Sequence, residues 1–354
     1  MTKKLLLLVA LLLLPAASAM ATFSIVAIDP KTGDLGVAVA SRYFAVGTVV
    51  PWAEAGVGAI ATQAGVNVGY GPRGLELLKQ GLTAQQVLDK LLQEDTFGGV
   101  ESRQIAIIDA KGNIATKSGG QNWQGHKIGA TWSAQGNILV GPQVVEAMGK
   151  AFEATNDDLV EKLWAALKAG DEAGGDSRGR ESASVLVVRK GGGRNTNNDR
   201  LVYVNVDDSP DPFAELRRLL NIAQRGNYGT ALNRAMTAGN YQEALNAAAH
   251  LVRYDRLNAS PYVTLGFVAY LAGKQDQALT AFNRAKELTL PNQFMDLWIA
   301  ATGQGASGGR GRGAPPANGA VPADGRGGRG FGGGASRYQK VLEDKAFVAK
   351  VLGN

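Results

Sequence analysis

"TFSIVAIDPKTGDLGVAVASR", residues 22–42, sets two apolar runs on either side of a turn. "FSIVAI" (Phe23–Ile28) and "LGVAVAS" (Leu35–Ser41) flank "DPKTGD", in which Asp29-Pro30 and Gly33 punctuate the chain, so the segment reads as a β-hairpin. "GVGAIATQ" (Gly56–Gln63) supplies a third strand with Gly and Ala at alternate positions. Two helices follow, one carrying "PRGLELLKQG" and one starting at Thr83, where Gln86 three residues on completes a capping box before "QQVLDKLLQE".

The pattern then repeats in kind. "RQIAIID" and "NIATKSG" bracket the turn "AKGN", and "TWSAQGNILV" supplies a further strand. Two amphipathic helices follow, "PQVVEAMGKAFEA" and "DDLVEKLWAALKAG", the second with Asn156 as its expected cap. "SASVLVVRK" and "RLVYVNVDD" are late strands around the turn "KGGGRNTNN", and "PDPFAELRRLL" is a helix with Pro at its start. Strand groups and helix pairs alternate in blocks, without the strand-helix-strand rhythm of a parallel sheet. The fold class is therefore α+β, with two antiparallel sheets covered by helix layers.

The expected organisation has five parts. Residues 1–21 read as a signal peptide, with Lys3-Lys4, the run "LLLLVALLLLP" and then small residues. The run is too short to span a bilayer. Residues 22–222 form the α+β domain, and 227–301 a helical region in which "GNYQEAL" at Gly239 returns as "GKQDQAL" at Gly273, 34 residues later. That period resembles the tetratricopeptide repeat, with a plain helical hairpin pair as the alternative. Residues 303–336 are a Gly/Arg/Pro-rich stretch with almost no apolar content, read as a disordered linker, and 337–354 a terminal helix.

Charge and composition exclude several functions. The whole chain carries +6, and removing Lys3 and Lys4 with an acid-free leader leaves +4, part of it in the arginine-glycine tract. This argues against a nucleic-acid footprint on the folded part, and no segment after the leader reads as a membrane helix. With no cysteine there is no disulfide framework and no thiolate chemistry, which for an exported chain suits a bacterial periplasm or the extracellular space. The two histidines, His126 and His250, lie far apart with no metal-ligand spacing, so no metal and no cofactor are expected. A serine triad would have to use His126, and nothing near it resembles a nucleophile elbow. "KGGGRNTNN" lacks the Lys-Ser/Thr of a phosphate-binding loop.

The remaining chemistry lies at the start of the hairpin. "ASAMATFS", residues 17–24, allows cleavage after Ala19 or after Ala21. The second cut makes Thr22 the first residue. Its α-amine, which titrates just above neutral pH, is then a built-in general base for its own hydroxyl.

"TFSIVAIDPKTGDLGVAVASRYFAVGTVVPWAEAGVGAIATQAGVNVGYGPRGLELL", "WQGH", "SAQGNILVGPQVVEAM", "GGDSRGRESASVLVV" and "VDDSPDPFAELRRLL" together resemble the DUF1028 family, a family of unknown function, over roughly Thr22–Leu220. That family is assigned to the N-terminal-nucleophile (Ntn) hydrolase superfamily. The resemblance implies an αββα four-layer sandwich with Thr22 as the nucleophile. It places "TQAGVN" at the oxyanion turn, with the Gly65 N–H as donor and the Asn67 amide beside it. "VASR" falls where proteasome-type enzymes read acid-Ser/Thr-Arg, but Ala40 occupies the acid position, followed by Ser41 and Arg42. Their lysine has no counterpart around "TVVPWAEAG", so activation rests on the amine, helped by Ser41, Arg42 or Asp176. Some relatives carry a peptidoglycan-binding module, which hints at cell-wall amides.

Plainer roles stand beside these. Arg42 could pair with Asp29 or Asp34, Asn67 could cap the following turn, and "GGDSRGRES" could be a solvated loop instead of the lining of a cleft. Two functions remain open. One is an exported amidohydrolase or peptidase acting on a small peptide or amide. The other is a non-catalytic secreted binding protein whose helical repeats hold a protein or peptide partner. Neither excludes a homo-oligomer.

Overall fold

The computed structural model describes residues 21–119, 124–193, 198–303 and 337–353. Apart from Ala21, the signal peptide expected for residues 1–21 lies outside them, as does the linker expected over 303–336, save for Gly303. The chain divides into two compact units, Met1–Leu220 and Asn221–Asn354.

The first unit is built on two antiparallel sheets. β1 (Thr22–Ile28) and β2 (Leu35–Ser41) pair in register from Thr22↔Ser41 to Ile28↔Leu35, the hairpin expected from the opening stretch. They form the centre of a six-stranded sheet ordered β10-β9-β2-β1-β8-β7, with β7 Gln124–Ile128, β8 Trp132–Asn137, β9 Ser182–Val188 and β10 Arg200–Val206. A four-stranded sheet runs in chain order, with β3 Pro51–Glu54, β4 Gly58–Ala64, β5 Arg103–Asp109 and β6 Ile114–Ser118. Strands β3 and β7 had no counterpart in the sequence reading.

Side-chain alternation along β1 explains how the sheets pack. Val26 and Ile28 join Val37 and Val39 of β2 and meet Ala59, Ala61, Ala106 and Ile108 of the other sheet in an apolar inter-sheet core. The intervening Phe23 points the other way and lies against α4 (Leu159–Glu172). That helix and α3 (Gln143–Ala154) pack on the outer face of the six-stranded sheet, where Trp132 and Phe152 lie 6.1 Å apart. Helices α1 (Tyr70–Lys79) and α2 (Ala84–Glu94) cover the four-stranded sheet through a second apolar cluster that includes Leu77, Leu91, Ile60 and Ile105.

The capping box at Thr83 is present, its side chain accepting from Gln86 N while Gln86 caps the Thr83 N–H. The cap of α4 is Asp158, not Asn156: its carboxylate accepts from Glu161 N at 3.0 Å. Leu159 must be buried, so the helix starts directly before it. The helix expected at "PDPFAELRRLL" begins at Pro212 and continues to Thr237 as α5, because no proline interrupts it.

In the second unit, α6 (Tyr241–Tyr254) and α8 (Gln275–Glu287) start 34 residues apart. Each is preceded by a left-handed glycine, Gly239 at φ 70° and Gly273 at φ 76°. The turn bonds match as well: Asn240 N to Ala235 O in one, Lys274 N to Ala269 O in the other. The sequence repeat is thus a repeat of structure. Between the two lies α7 (Ala259–Leu271), and α9 (Pro291–Thr302) follows. Phe267, Phe282, Phe294 and Trp298 form the aromatic centre. The terminal segment is two short helices, α10 (Gln339–Glu343) and α11 (Lys345–Leu352), which bury Val341, Phe347 and Val351 in the same core. No described helix is long and apolar enough to cross a membrane.

Candidate active site

The inter-sheet layer changes character toward the start of β1. Thr22 and Ser24 share the inner face with Val26 and Ile28, and their cross-strand partners are Ser41 and Val39 on one side, Asn137 and Gln135 on the other. The same row reaches Gln124 on β7 and Ser182 on β9. Five adjacent strands therefore place Gln124, Asn137, Thr22, Ser41 and Ser182 side by side.

Thr22 is buried, and its Oγ1 lies 3.0 Å from Ser41 Oγ. Ser41 Oγ in turn donates to the Ala21 carbonyl at 2.5 Å. A carbonyl can only accept, so Ser41 spends its proton there and Thr22 must donate to Ser41. Behind them, the Thr22 carbonyl accepts from Gln63 Nε2 at 3.1 Å and from Asn137 Nδ2 at 3.4 Å. Both amides also donate to Gln104 Oε1, at 2.8 and 3.0 Å, and Ser24 donates to Gln63 Oε1 at 2.6 Å. Gln63 thus fixes the backbone of Thr22 from the far sheet, and Asn137 from the neighbouring strand of its own sheet.

Asp176 reaches this point through a strained turn. Ile138, directly after β8, has φ 50°, a left-handed conformation costly for a β-branched residue. It redirects the chain so that Leu139 bridges to Asp176 and the Ile138 carbonyl accepts from Ser177 N and Oγ. The Asp176 carboxylate accepts from Arg42 N at 2.8 Å, from Arg178 N at 2.9 Å, and from Arg178 Nε and Nη2 at 3.2 and 2.9 Å. Arg178 Nη2 also donates to the Ala21 carbonyl at 2.8 Å, beside Ser41. In "GGDSRGRES" the Asp176 side chain is only 2% exposed, whereas Ser177, Gly179 and Arg180 are exposed, so a buried carboxylate anchors an otherwise solvated loop. Arg42 bonds to the Arg178 carbonyl, and Asp34, one of its expected partners, is held by Arg189 instead.

A cavity of about 200 Å³ opens at these residues, lined by Phe23, Ser41, Asp176, Arg180, Ser182 and Phe213 among others. Phe23 and Phe213 stack at 6.5 Å, and Arg180 lies over the Phe213 ring while it pairs with Asp171 at 2.6 and 2.9 Å. Hydrogen bonding to that carboxylate raises the Arg180 pKa further, so the guanidinium is charged at every working pH.

The structure thus brings Thr22, Ser41, Arg42 and Asp176 together. Among the described residues, no hydrogen bond links Gly65 or Asn67 to them. The Gly65 N–H, expected as an oxyanion donor, is taken by the Ser102 carbonyl at 3.2 Å, and a side chain at Gly65 would meet Ser102 Oγ at 2.1 Å. Asn67 Oδ1 accepts from Gly69 N at 3.0 Å, the turn-capping role. Both belong to a separate cluster in which Arg103 bonds to the Gly65 carbonyl and to Asp95, and Tyr70 donates to Asp95 at 2.6 Å. Hydrogen bonding from Arg103, more than any other contact, holds the Asp95 carboxyl well below its usual range; burial pushes the Tyr70 phenol up. His126 Nδ1 meets Ser118 Oγ at 3.1 Å, which joins it to the outer end of the Gln104 network.

Arg178, Gln63, Gln104 and Asn137 were not anticipated. "SAQGN" did carry a signal: polar residues at every second position of a strand with no exposed face.

An α+β unit of two antiparallel sheets, with a polar cluster where its central strand begins, is the class of protein this geometry defines. The chain belongs to the DUF1028 family, a family of unknown function, whose sequence model matches residues 22–216. The crystal structure of protein SPO2555 from Silicibacter pomeroyi, also assigned to DUF1028, is similar at 31% identity with a TM-score of 0.52. The match covers 57% of this chain and 86% of that one. No curated protein matches the sequence.

Proposed function

We propose that the protein is an exported Ntn-type amide hydrolase whose nucleophile, Thr22, is exposed when the leader is removed after Ala21. The observation that carries this reading is the Thr22 Oγ1–Ser41 Oγ contact at 3.0 Å at the first residue of the central strand. The order helix pair, sheet, sheet, helix pair is read here as the four-layer Ntn sandwich, and the 34-residue helical repeat as tetratricopeptide-like.

The chemistry follows from the groups present. Cleavage turns the Thr22 amide nitrogen into an amine and releases Ser41 Oγ and Arg178 Nη2 from the Ala21 carbonyl. The amine takes the Thr22 hydroxyl proton as Oγ1 attacks the substrate's amide carbon. The tetrahedral intermediate then expels the leaving amine, to which the Thr22 ammonium returns that proton, and leaves an ester on Oγ1. Water attacks that ester while the amine takes its proton; the acyl C–Oγ1 bond breaks, the proton passes to Oγ1, and a carboxylic acid is released. Arg178 and Ser41, which both donate to the Ala21 carbonyl before cleavage, would then serve as donors for developing negative charge, in place of Gly65. The cavity beside Ser41 would receive a substrate group next to the scissile bond.

A second reading, a secreted binding scaffold, draws on Ala40 at the expected acid position and on the occupied Gly65 N–H. The mature protein separates the two. An intact mass beginning at Thr22, and an adduct on Thr22 from an electrophilic threonine-directed probe, support the hydrolase. Thr22→Ala abolishes labelling and activity while costing about 1 kcal/mol of stability, one neutral hydrogen bond. A mature chain beginning at Met20, or no adduct at Thr22, refutes it.

A further inference from the structure

We propose that the helical unit holds a second binding site, independent of Thr22, for a small carboxylate with an apolar body. A cavity of about 390 Å³ lies between α5, α6, α7, α9 and the start of the C-terminal segment, within the range of small-molecule sites. Its walls are mainly apolar, with Leu232, Met236, Val263 and Leu297 foremost and the hydroxyls of Ser260 and Thr264 among them. Among the described residues no aspartate or glutamate lines it, and the one charged side chain is Arg337. Arg337 gives one hydrogen bond to Asn233 Oδ1 at 3.2 Å and makes no ion pair among the described residues. A guanidinium carries five N–H donors, so most remain for a ligand.

The placement of Arg337 is built into the fold. The adjacent Tyr338 stacks on Phe267 at 4.5 Å, and Val341, Phe347 and Val351 anchor the following helices in the core. Asp344 accepts from Tyr270 at 2.6 Å, which locks the same segment. Burial raises the Tyr338 phenol's pKa, so it stays neutral beside the cation. One fixed positive charge at an otherwise uncharged apolar cavity selects one negative charge on an apolar ligand. A polyanion would find a single cation, and a neutral lipid would leave the guanidinium unanswered.

The test uses the full chain and titration calorimetry with octanoate and, as neutral control, octanamide. Octanoate is expected to bind saturably, and octanamide about tenfold more weakly, the worth of one charge-assisted hydrogen bond. Arg337→Gln should lower octanoate affinity about tenfold and leave octanamide unchanged. Ala301→Phe, which fills the cavity from α9, should abolish binding of both, with circular dichroism checking that each variant is folded. Equal binding of the two probes, an unchanged octanoate affinity in Arg337→Gln, or no saturable binding overturns the proposal. If Ala301→Phe fails to fold, the Arg337→Gln comparison decides alone.

Discussion

Replacing Asp176 with asparagine changes one oxygen for an NH2 and leaves volume and shape almost intact. The carboxylate accepts four hydrogen bonds, two from backbone N–H groups and two from the Arg178 guanidinium. In Asp176→Asn, one of these donors must face an NH2, and the guanidinium loses its counter-charge in a site where its side chain is 27% exposed. Breaking a buried pair from one side costs about 3 kcal/mol, and the partial exposure of Arg178 together with its bond to Ala21 places this case at the lower end, about 2–3 kcal/mol. Urea unfolding should show a lower midpoint with an unchanged slope. Arg178→Met should cost less, and the double variant should recover about 1 kcal/mol or more of the sum, because the two residues act as one unit. On the proposed mechanism, labelling of Thr22 in Asp176→Asn should slow, since Asp176 orients the Arg178 guanidinium that bonds to the Ala21 carbonyl. A loss below about 1 kcal/mol, additive double-variant energies and wild-type labelling would together refute the view that Asp176 organises this end of the sheet.

Three further outcomes follow. Ser41→Ala should slow probe labelling of Thr22 about tenfold at a cost of about 1 kcal/mol in stability, one hydrogen bond each; an unchanged labelling rate removes Ser41 from the mechanism. Asp95→Asn should cost about 3 kcal/mol at neutral pH. Because the Asp95 carboxyl is depressed in the folded protein, its stabilisation is complete above the unfolded value near pH 4 and is lost as pH falls, so the gap from wild type should narrow in urea titrations toward pH 3 and a constant gap would contradict the assignment. Ala64, the last residue of β4, has φ 64°, and Ala64→Gly should gain about 0.5–1 kcal/mol once glycine's entropy is set against the relieved strain; a lower melting temperature would show that the methyl group matters more.

Local signals were legible and cross-strand ones were not. The β1–β2 hairpin, the Thr83 capping box and the 34-residue repeat depend on neighbours within a few residues or on self-similarity, and each stands where the sequence put it. Thr22, Ser41 and Asp176 were found through chemistry and family likeness. The link from Asp176 to Thr22 required Ile138 in a left-handed turn, which no propensity favours. The donor role expected of Gly65 meets an N–H already bonded to Ser102, 37 positions on, a bond visible only in the register of β4 with β5. β7 was missed because "QGHKI" is short and polar and becomes a strand only by pairing with β8.

The inner face of β1 reads Thr, Ser, Val, Ile, and its partners repeat the gradient: Ser41, Val39, Val37, Leu35 on β2. The apolar end closes with Ala59, Ala61 and Ala106, residues small enough to let the sheets approach. The polar end closes with Gln63, Gln104, Gln135 and Asn137, each buried, and each costly to bury unless it bonds across the gap. A core built for stability alone would continue the apolar pattern to the strand end. The polar layer instead holds the backbone of a single residue from behind, through two amides on the Thr22 carbonyl, while Ser41 and Arg178 hold the carbonyl just ahead of it. That expense falls around one peptide unit, and the nucleophile role proposed for Thr22 would account for it as pre-organisation of a reacting group.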